Sequence, residues 1–317
     1  MRIVGIRRPD GDVDVATLSE NGDEVAVLAP LRDFWSDPAG FVWRGPAGPT
    51  RPAATAEFVP PVLPEARVIC IGLNYLKHVA EGSYRDEALP EYPTLFARWS
   101  RSLTVDGAEV PVPANEDGLD WEGEIVAWVG SRLVDATPDE ALAAVVGYST
   151  FNDLTARRAQ KITSQWILGK NADRSGPLGP LVPAEEVGDL REGLRVQTRV
   201  NGTTVQDGTT DQMVYTVGDT LAHISRTFTI EPGDLLATGT PSGVGYARTP
   251  QWLLQPGDVV EVEVDRLGVL RNVIVGRTSA SAADPIVRRA IVRAREGPEP
   301  ATGPRRIHSA AGRAGSP

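Results

Sequence analysis

The sequence predicts an α+β, mainly β protein, with a small β-rich N-terminal domain and Pro/Ala-rich linker over residues 1–62, a larger mixed-β domain over 63–278 and a tail over 279–317. Two observations carry this. Short segments alternating apolar and polar residues recur along the chain, bounded by turns rich in Gly, Asn and Asp. Helical stripes are few and never alternate strictly with strands, which disfavours a doubly wound Rossmann architecture.

In chain order, RIVGIRR, DVDVATL and EVAVLAP within residues 2–30 read as a meander of short strands separated by PDGD and ENGDE. Residues 45–65, GPAGPTRPAATAEFVPPVLPE, have too little periodicity for an element and read as an extended linker. RVICIG (67–72) and TLFARWS (94–100) suit buried strands. Between them, Asn74 to Glu81 can form a short helix capped by Asn74 and stopped at Gly82. Thr137-Pro138-Asp139-Glu140 has the capping Thr, first-turn Pro and third-position Glu of a helix start. LRVQTRV alternates as a strand, and Asn201-Gly202 turns it into TTVQ. Val214, Val217, Leu221 and Ile224 form one helical stripe, leaving His223 on the opposite, solvated side. PGD turns at Pro232 and Pro256 introduce DLLATGT and DVVEVEV, and GVLRNVIVG closes the sheet. The tail, with seven arginines against three acids among many Gly, Pro and Ala residues, reads as disordered, with one short helix around 286–295.

At 317 residues, 41% hydrophobic and 23% charged, the chain is an ordinary globular composition able to bury a sizeable core. Cys70 is the only cysteine, which excludes an intramolecular disulfide, a Cys-rich zinc site and an iron–sulfur cluster, and fits a reducing cytoplasm. The N-terminus lacks the apolar stretch of a signal peptide, and no 18-residue uncharged apolar run predicts a membrane span. A net charge of −10 argues against a nucleic-acid partner.

The most informative stretch is Asp120-Trp121-Glu122-Gly123-Glu124-Ile125-Val126. As a strand it puts Glu122 and Glu124 on one face with side-chain bases roughly 7 Å apart. Buried together they need a cation, and a hard divalent ion such as Mg²⁺ or Mn²⁺ is one answer; a solvent-facing edge is the other. Asp153, ending the apolar run VVGYSTFND, is either a third convergent acid or a turn residue. Arg157, four residues on, suits an ion pair with Asp153 or a clamp on a substrate carboxylate. His78 and Glu81, three apart, form either a carboxylate-oriented base or a surface pair. Lys170 lies between small residues that would let a ligand approach, or is simply solvated. The loop TGTPSGVG lacks phosphate-loop spacing, yet its amides and the Thr240 hydroxyl could hold a carboxylate. No G-x-S-x-G elbow occurs, and Cys70 sits inside an apolar strand, so serine and cysteine nucleophiles are disfavoured.

In order, GLNYLKHVAEG, PTLFARWSRSL, DWEGEIVAWVG, GYSTFNDLTAR, LGKNADRSGPLGP, VNGTTVQDGTTDQMVYTV and EPGDLLATGTPSGVG resemble the fumarylacetoacetate hydrolase family from about residue 65 to 277. The resemblance implies a mixed β-roll or sandwich as catalytic domain, a homodimer or higher assembly and a divalent ion at the mouth of the site. It implies Glu122, Glu124 and Asp153 as metal ligands, His78 and Glu81 as the water-activating dyad on a lid, and Lys170 as the motif lysine. Arg157, Gln160 and Thr240 match positions of substrate contact. Arg98 stands where relatives often carry Lys, keeping the charge but changing reach and hydrogen-bond geometry. Residues 82–93 would complete the lid.

The expected reaction is hydrolytic cleavage of a carbon–carbon bond in a 2,4-dioxo acid, an acylpyruvate or fumarylpyruvate-like compound. His78, oriented by Glu81, would take a proton from the water attacking C4, and Mg²⁺ (or Mn²⁺) with Lys170 would stabilise the departing enolate. Decarboxylation, hydration or isomerisation of a related 2-oxo-enoic dicarboxylic acid, as by a 2-hydroxyhepta-2,4-diene-1,7-dioate isomerase, could use the same groups. A non-catalytic protein binding metal and 2-oxo acid is the alternative of another class.

Overall fold

The structure, a computed structural model, describes residues 1–81 and 91–277. Alternation at period two builds its first sheet: β1 (Arg2–Arg7), β2 (Val13–Leu18) and β3 (Glu24–Pro30) form the antiparallel meander, burying Ile3, Ile6, Val15 and Val25. Two short helices not read from the sequence follow, α1 (Leu31–Ser36) and α2 (Pro38–Arg44). Asp37 caps the second by accepting the Gly40 N–H. The Pro/Ala-rich stretch, expected to hold no element, contributes β4 (Arg51–Pro52) and β5 (Glu57–Val59) to the two edges of this sheet. Proline is tolerated there because one side of an edge strand needs no N–H donors.

The remaining elements are, in order, β6 (Arg67–Gly72), α3 (Leu76–Glu81), β7 (Thr94–Trp99), β8 (Leu103–Val105), β9 (Glu109–Val112), β10 (Gly123–Val129), α4 (Pro138–Ala143), β11 (Val145–Asn152), α5 (Arg157–Gln160), α6 (Ile167–Lys170), β12 (Gly176–Leu178), β13 (Val182–Pro183) and α7 (Ala184–Val187). The hairpin β14 (Arg195–Val200) and β15 (Thr203–Thr209), α8 (Val217–Ser225), β16 (Leu235–Ala237), β17 (Val259–Val264) and β18 (Gly268–Gly276) complete them. The central sheet runs β7-β6-β16-β10-β11-β12-β8, with β13 also on β11, and the third sheet runs β15-β14-β17-β18-β9. Only β6–β16, β8–β12 and β9–β18 are parallel among these pairs. This is the mainly β, mixed-sheet architecture the sequence predicts.

Strand β10 shows how the layers stack. Every residue of it is buried, because Ile125, Ala127 and Val129 face a core shared with Val196 and Val262 of the third sheet, while Val126 and Trp128 face Val15, Phe34 and Trp35. A sheet covered on both sides reads as a continuous apolar run. Trp128 stacks on Trp35 at 5.5 Å and donates its indole N–H to Ser149.

Local signals fare as their chemistry dictates. The Thr137–Glu140 capping box is present, the Asn201-Gly202 turn joins β14 to β15, and the two PGD turns precede β16 and β17. TLFARWS, expected to be buried, is instead the edge β7, with Leu95 37% and Trp99 57% exposed. Asn74 does not cap α3: its amide donates to the Tyr215 and Thr238 carbonyls and its Oδ1 accepts the Tyr215 N–H, tying two distant segments together. His223 is half-buried rather than solvated, stacked on Tyr92 at 5.1 Å. Gly82, most of the expected lid and the Arg-rich tail lie outside the described residues. Among the described residues no helix is long and apolar enough to cross a membrane.

Candidate active site

Pairing of β10 with β11 assembles the acids. Gly123 faces Asn152 in the ladder, and just beyond it the Asp153 N–H donates to the Glu122 carbonyl at 2.9 Å while the Glu122 N–H donates to the Asn152 side chain at 3.1 Å. Asp153 is thereby brought beside Glu122, and Glu124 follows on the same face. Gly123 between the two glutamates is required by close approach: a Cβ there would lie 2.3 Å from the Thr198 hydroxyl oxygen. Its N–H donates to Gln206 and its carbonyl accepts from Thr240. Ligand oxygens of Glu122, Glu124 and Asp153 all lie within 4.8 Å of one another, and all three residues are buried.

Among the described residues, three cations answer these carboxylates. The Lys170 ammonium bridges Glu122, at 2.6 Å, and Asp153. Arg98 donates to Asp153, Ser102, Ser175 and the Leu154 carbonyl, so its fork is spent behind the site. Arg157 donates to Asp120 at 2.8 Å and to Glu122 rather than pairing with Asp153. Burial alone would raise the Glu122 carboxyl, but Lys170, Arg157 and His78 outweigh it and hold it well below the ordinary range. Glu124 is the opposite case. Burial, with the charges of Asp153 and Glu122, pushes it well above the ordinary range, and Lys170 and the Gly239 N–H offset this only in part.

A cavity of about 500 Å³ opens over these groups, lined by His78, Phe96, Glu122, Glu124, Arg157, Gln160, Trp166, Lys170 and Thr240 among others. His78 Nδ1 and Glu81 Oε1 share a hydrogen bond at 2.8 Å, and the Gly243 N–H donates to both Glu81 oxygens, at 3.0 and 2.8 Å. Gln160 accepts from Arg157 at 3.0 Å through its carbonyl oxygen, which leaves its amide N–H groups as donors on the cavity wall. The Thr240 hydroxyl donates to the Gly123 carbonyl and accepts from Gln206.

The donor set fits a hard divalent cation. Three buried carboxylates converge, and among the described residues Glu124 has no ion pair of its own, which suits a site that receives a cation.

Three contributors escaped the sequence reading. Asp120 accepts from Arg157 and from the Gly245 and Tyr246 N–H groups, joining the glutamate strand to the glycine-rich loop. Its signal was present, since Asp120, Glu122 and Glu124 share one period-two face. Gln206, linking Gly123 to Thr240, and Tyr246, on the cavity wall, carry no local signal.

Comparison with known proteins agrees in family and leaves the reaction open. A family model described as fumarylacetoacetate (FAA) hydrolase C-terminal matches residues 67–275. The chain is 36% identical over 230 residues to human oxaloacetate tautomerase FAHD2A, mitochondrial, covering 72% of each chain. It is 37% identical over 215 residues to the oxaloacetate tautomerase YisK of Bacillus subtilis, covering 67% of this chain and 70% of that one. The crystal structure of fumarylpyruvate hydrolase from Pseudomonas aeruginosa, in complex with Mn²⁺ and pyruvate, superposes with a TM-score of 0.62 at 31% identity over 70% of this chain and 92% of that one.

Proposed function

The chain belongs to the fumarylacetoacetate hydrolase family, and from that premise we propose that it is a divalent-metal-dependent enzyme that interconverts the keto and enol forms of a 2-oxo acid. One observation carries this reading: a carboxylate-oriented imidazole lines the same cavity as Glu122, Glu124 and Lys170. Held by Glu122, Glu124 and Asp153, Mg²⁺ or Mn²⁺ would supply a Lewis acid and a template for the substrate's carboxylate and 2-oxo group. His78 Nε2, the ring nitrogen not engaged by Glu81, exchanges the proton at the carbon next to the ketone. Glu81 steadies the imidazolium that forms. Lys170 Nζ places positive charge beside the oxygen on which negative charge develops. Gln160, oriented by Arg157, and Thr240 complete the wall against which the acid is held.

Tautomerisation is favoured because the curated relatives at 36% and 37% identity bear that name. Hydrolytic cleavage of a 2,4-dioxo acid is the second reading, favoured by the His78–Glu81 pair, which would serve equally to activate water for attack at C4. In either case residues 63–278 form the catalytic part and 1–62 a covering N-terminal part, in a homodimer suited to a reducing compartment such as the cytoplasm.

The test follows the enol absorbance of oxaloacetate with the full chain. Its decay is expected to accelerate with Mg²⁺ or Mn²⁺, to return to the buffer rate with EDTA, and to fall roughly 10²-fold or more in His78→Ala. Pyruvate released from acetylpyruvate instead would assign the hydrolase, and CO₂ released from oxaloacetate the decarboxylase. Decay at the buffer rate with metal-loaded protein would sink the tautomerase reading.

A further inference from the structure

The cavity's charges are unevenly committed. Asp120, Glu122, Glu124 and Asp153 face Arg98, Arg157 and Lys170, and each of those three cations is already hydrogen bonded to a carboxylate. Lys161 is different. It lies one residue beyond α5 and lines the same cavity, beside Gln160, Thr163 and Ser164, yet among the described residues it has no ion pair. Its ammonium sits 3.5 Å from the centre of the Tyr246 ring, and the Arg157 guanidinium lies 5.7 Å from the centre of that same ring. Tyr246 is in turn held by its N–H to Asp120.

We propose that Lys161 receives a second carboxylate, so that this site selects 2-oxo dicarboxylic acids over 2-oxo monocarboxylic ones. The proposal rests on the 2-oxo-acid reading above and names its substrate class. Three observations support it. Lys161 offers the cavity a cation that pairs with no carboxylate among the described residues. Although Lys161 is an exposed residue, desolvation at the cavity wall and the neighbouring Arg157 charge lower its pKa from the ordinary lysine value, an imbalance that a bound carboxylate would reverse. The Tyr246 face holds the ammonium in place by cation–π attraction, so less side-chain freedom is lost when an anion binds. A monocarboxylate would leave Lys161 unmatched.

The test measures binding by calorimetry in the Mn²⁺-loaded full chain, using oxaloacetate and pyruvate, which differ by one carboxylate. Wild type is expected to prefer oxaloacetate at least tenfold. In Lys161→Met and Lys161→Gln the oxaloacetate-to-pyruvate affinity ratio should fall about tenfold, and Lys161→Arg should restore it. A ratio unchanged in both neutral variants overturns the assignment of Lys161 while the 2-oxo-acid reading stands. Loaded wild type that binds neither compound overturns that reading and the assignment with it.

Discussion

Burial pushes the Glu124 carboxyl well above its ordinary value of 4.5, and the charges of Asp153 and Glu122 push it further. A carboxyl raised in this way binds its proton more tightly in the folded chain than in the unfolded one. Its contribution to stability is complete at low pH and is lost as pH rises from the ordinary value through the raised one. Glu122, held down by Lys170 and Arg157 against its own burial, has the opposite sign: its contribution is present above 4.5 and lost on acidification below it. The windows do not overlap, so the metal-free protein should melt at falling temperature as pH climbs above 4.5 on account of Glu124. A divalent ion must displace the Glu124 proton. Apparent Mn²⁺ affinity should therefore rise with pH, by up to about tenfold per unit, until the carboxyl is ionised without help. Calorimetry in two buffers of different ionisation enthalpy should detect the released proton, and Glu124→Gln should abolish it. A pH-independent affinity would remove Glu124 from the ligand set.

Elements bring such residues together through partners distant in sequence. The loop from Thr238 to Tyr246 is pinned at one end by Glu124, through the Gly239 N–H, and at the other by Asp120, through Gly245 and Tyr246. Between them Gly243, at φ +108°, gives its N–H to Glu81, and a Cβ there would lie 2.3 Å from the Val205 carbonyl. Gly243→Ala should cost about 1–3 kcal/mol in a melt from strain. It should also reduce kcat beyond any loss of folded protein, because Glu81 would no longer hold His78; a drop in kcat no larger than the unfolded fraction would refute that link. This geometry also explains what the sequence could disclose. The glutamate pair, the capping box and the PGD turns are local patterns, legible because period and turn chemistry depend on near neighbours. Arg157 was not legible: the nearby Asp153 is taken by Arg98 and Lys170, so the guanidinium turns to Asp120 and Glu122, more than thirty residues away. Asn74 fails as a cap for the same reason, its amide being drawn to Tyr215 and Thr238, and the proline-rich segment becomes strands only because β1 and β3 offer it edges.

At the scale of the whole molecule, the central sheet is covered unequally. The N-terminal helices seal one face through Phe34 and Trp35, and α4 and α8 with the third sheet seal the other, but among the described residues the edge β7 presents Leu95 and Trp99 to solvent. Helix α6 packs beside this edge with Ile167 38% and Leu168 60% exposed, and Asn171, just after it, accepts the Trp99 N–H and donates to the Ala97 carbonyl. Asn171 takes two backbone groups of this edge, but the exposed apolar side chains of the strand and of the helix beside it form a surface that invites association. The expected outcome is a homodimer sealed here. Sedimentation should give twice the mass of one chain, and Trp99→Glu with Leu168→Glu should halve it. The same edge carries Arg98, which holds Asp153, while α6 ends in Lys170. Dissociation should therefore also weaken metal binding, even though no ligand is altered. A monomeric wild type would show that the edge is tolerated bare, and a double variant that stays dimeric would move the interface elsewhere on the chain.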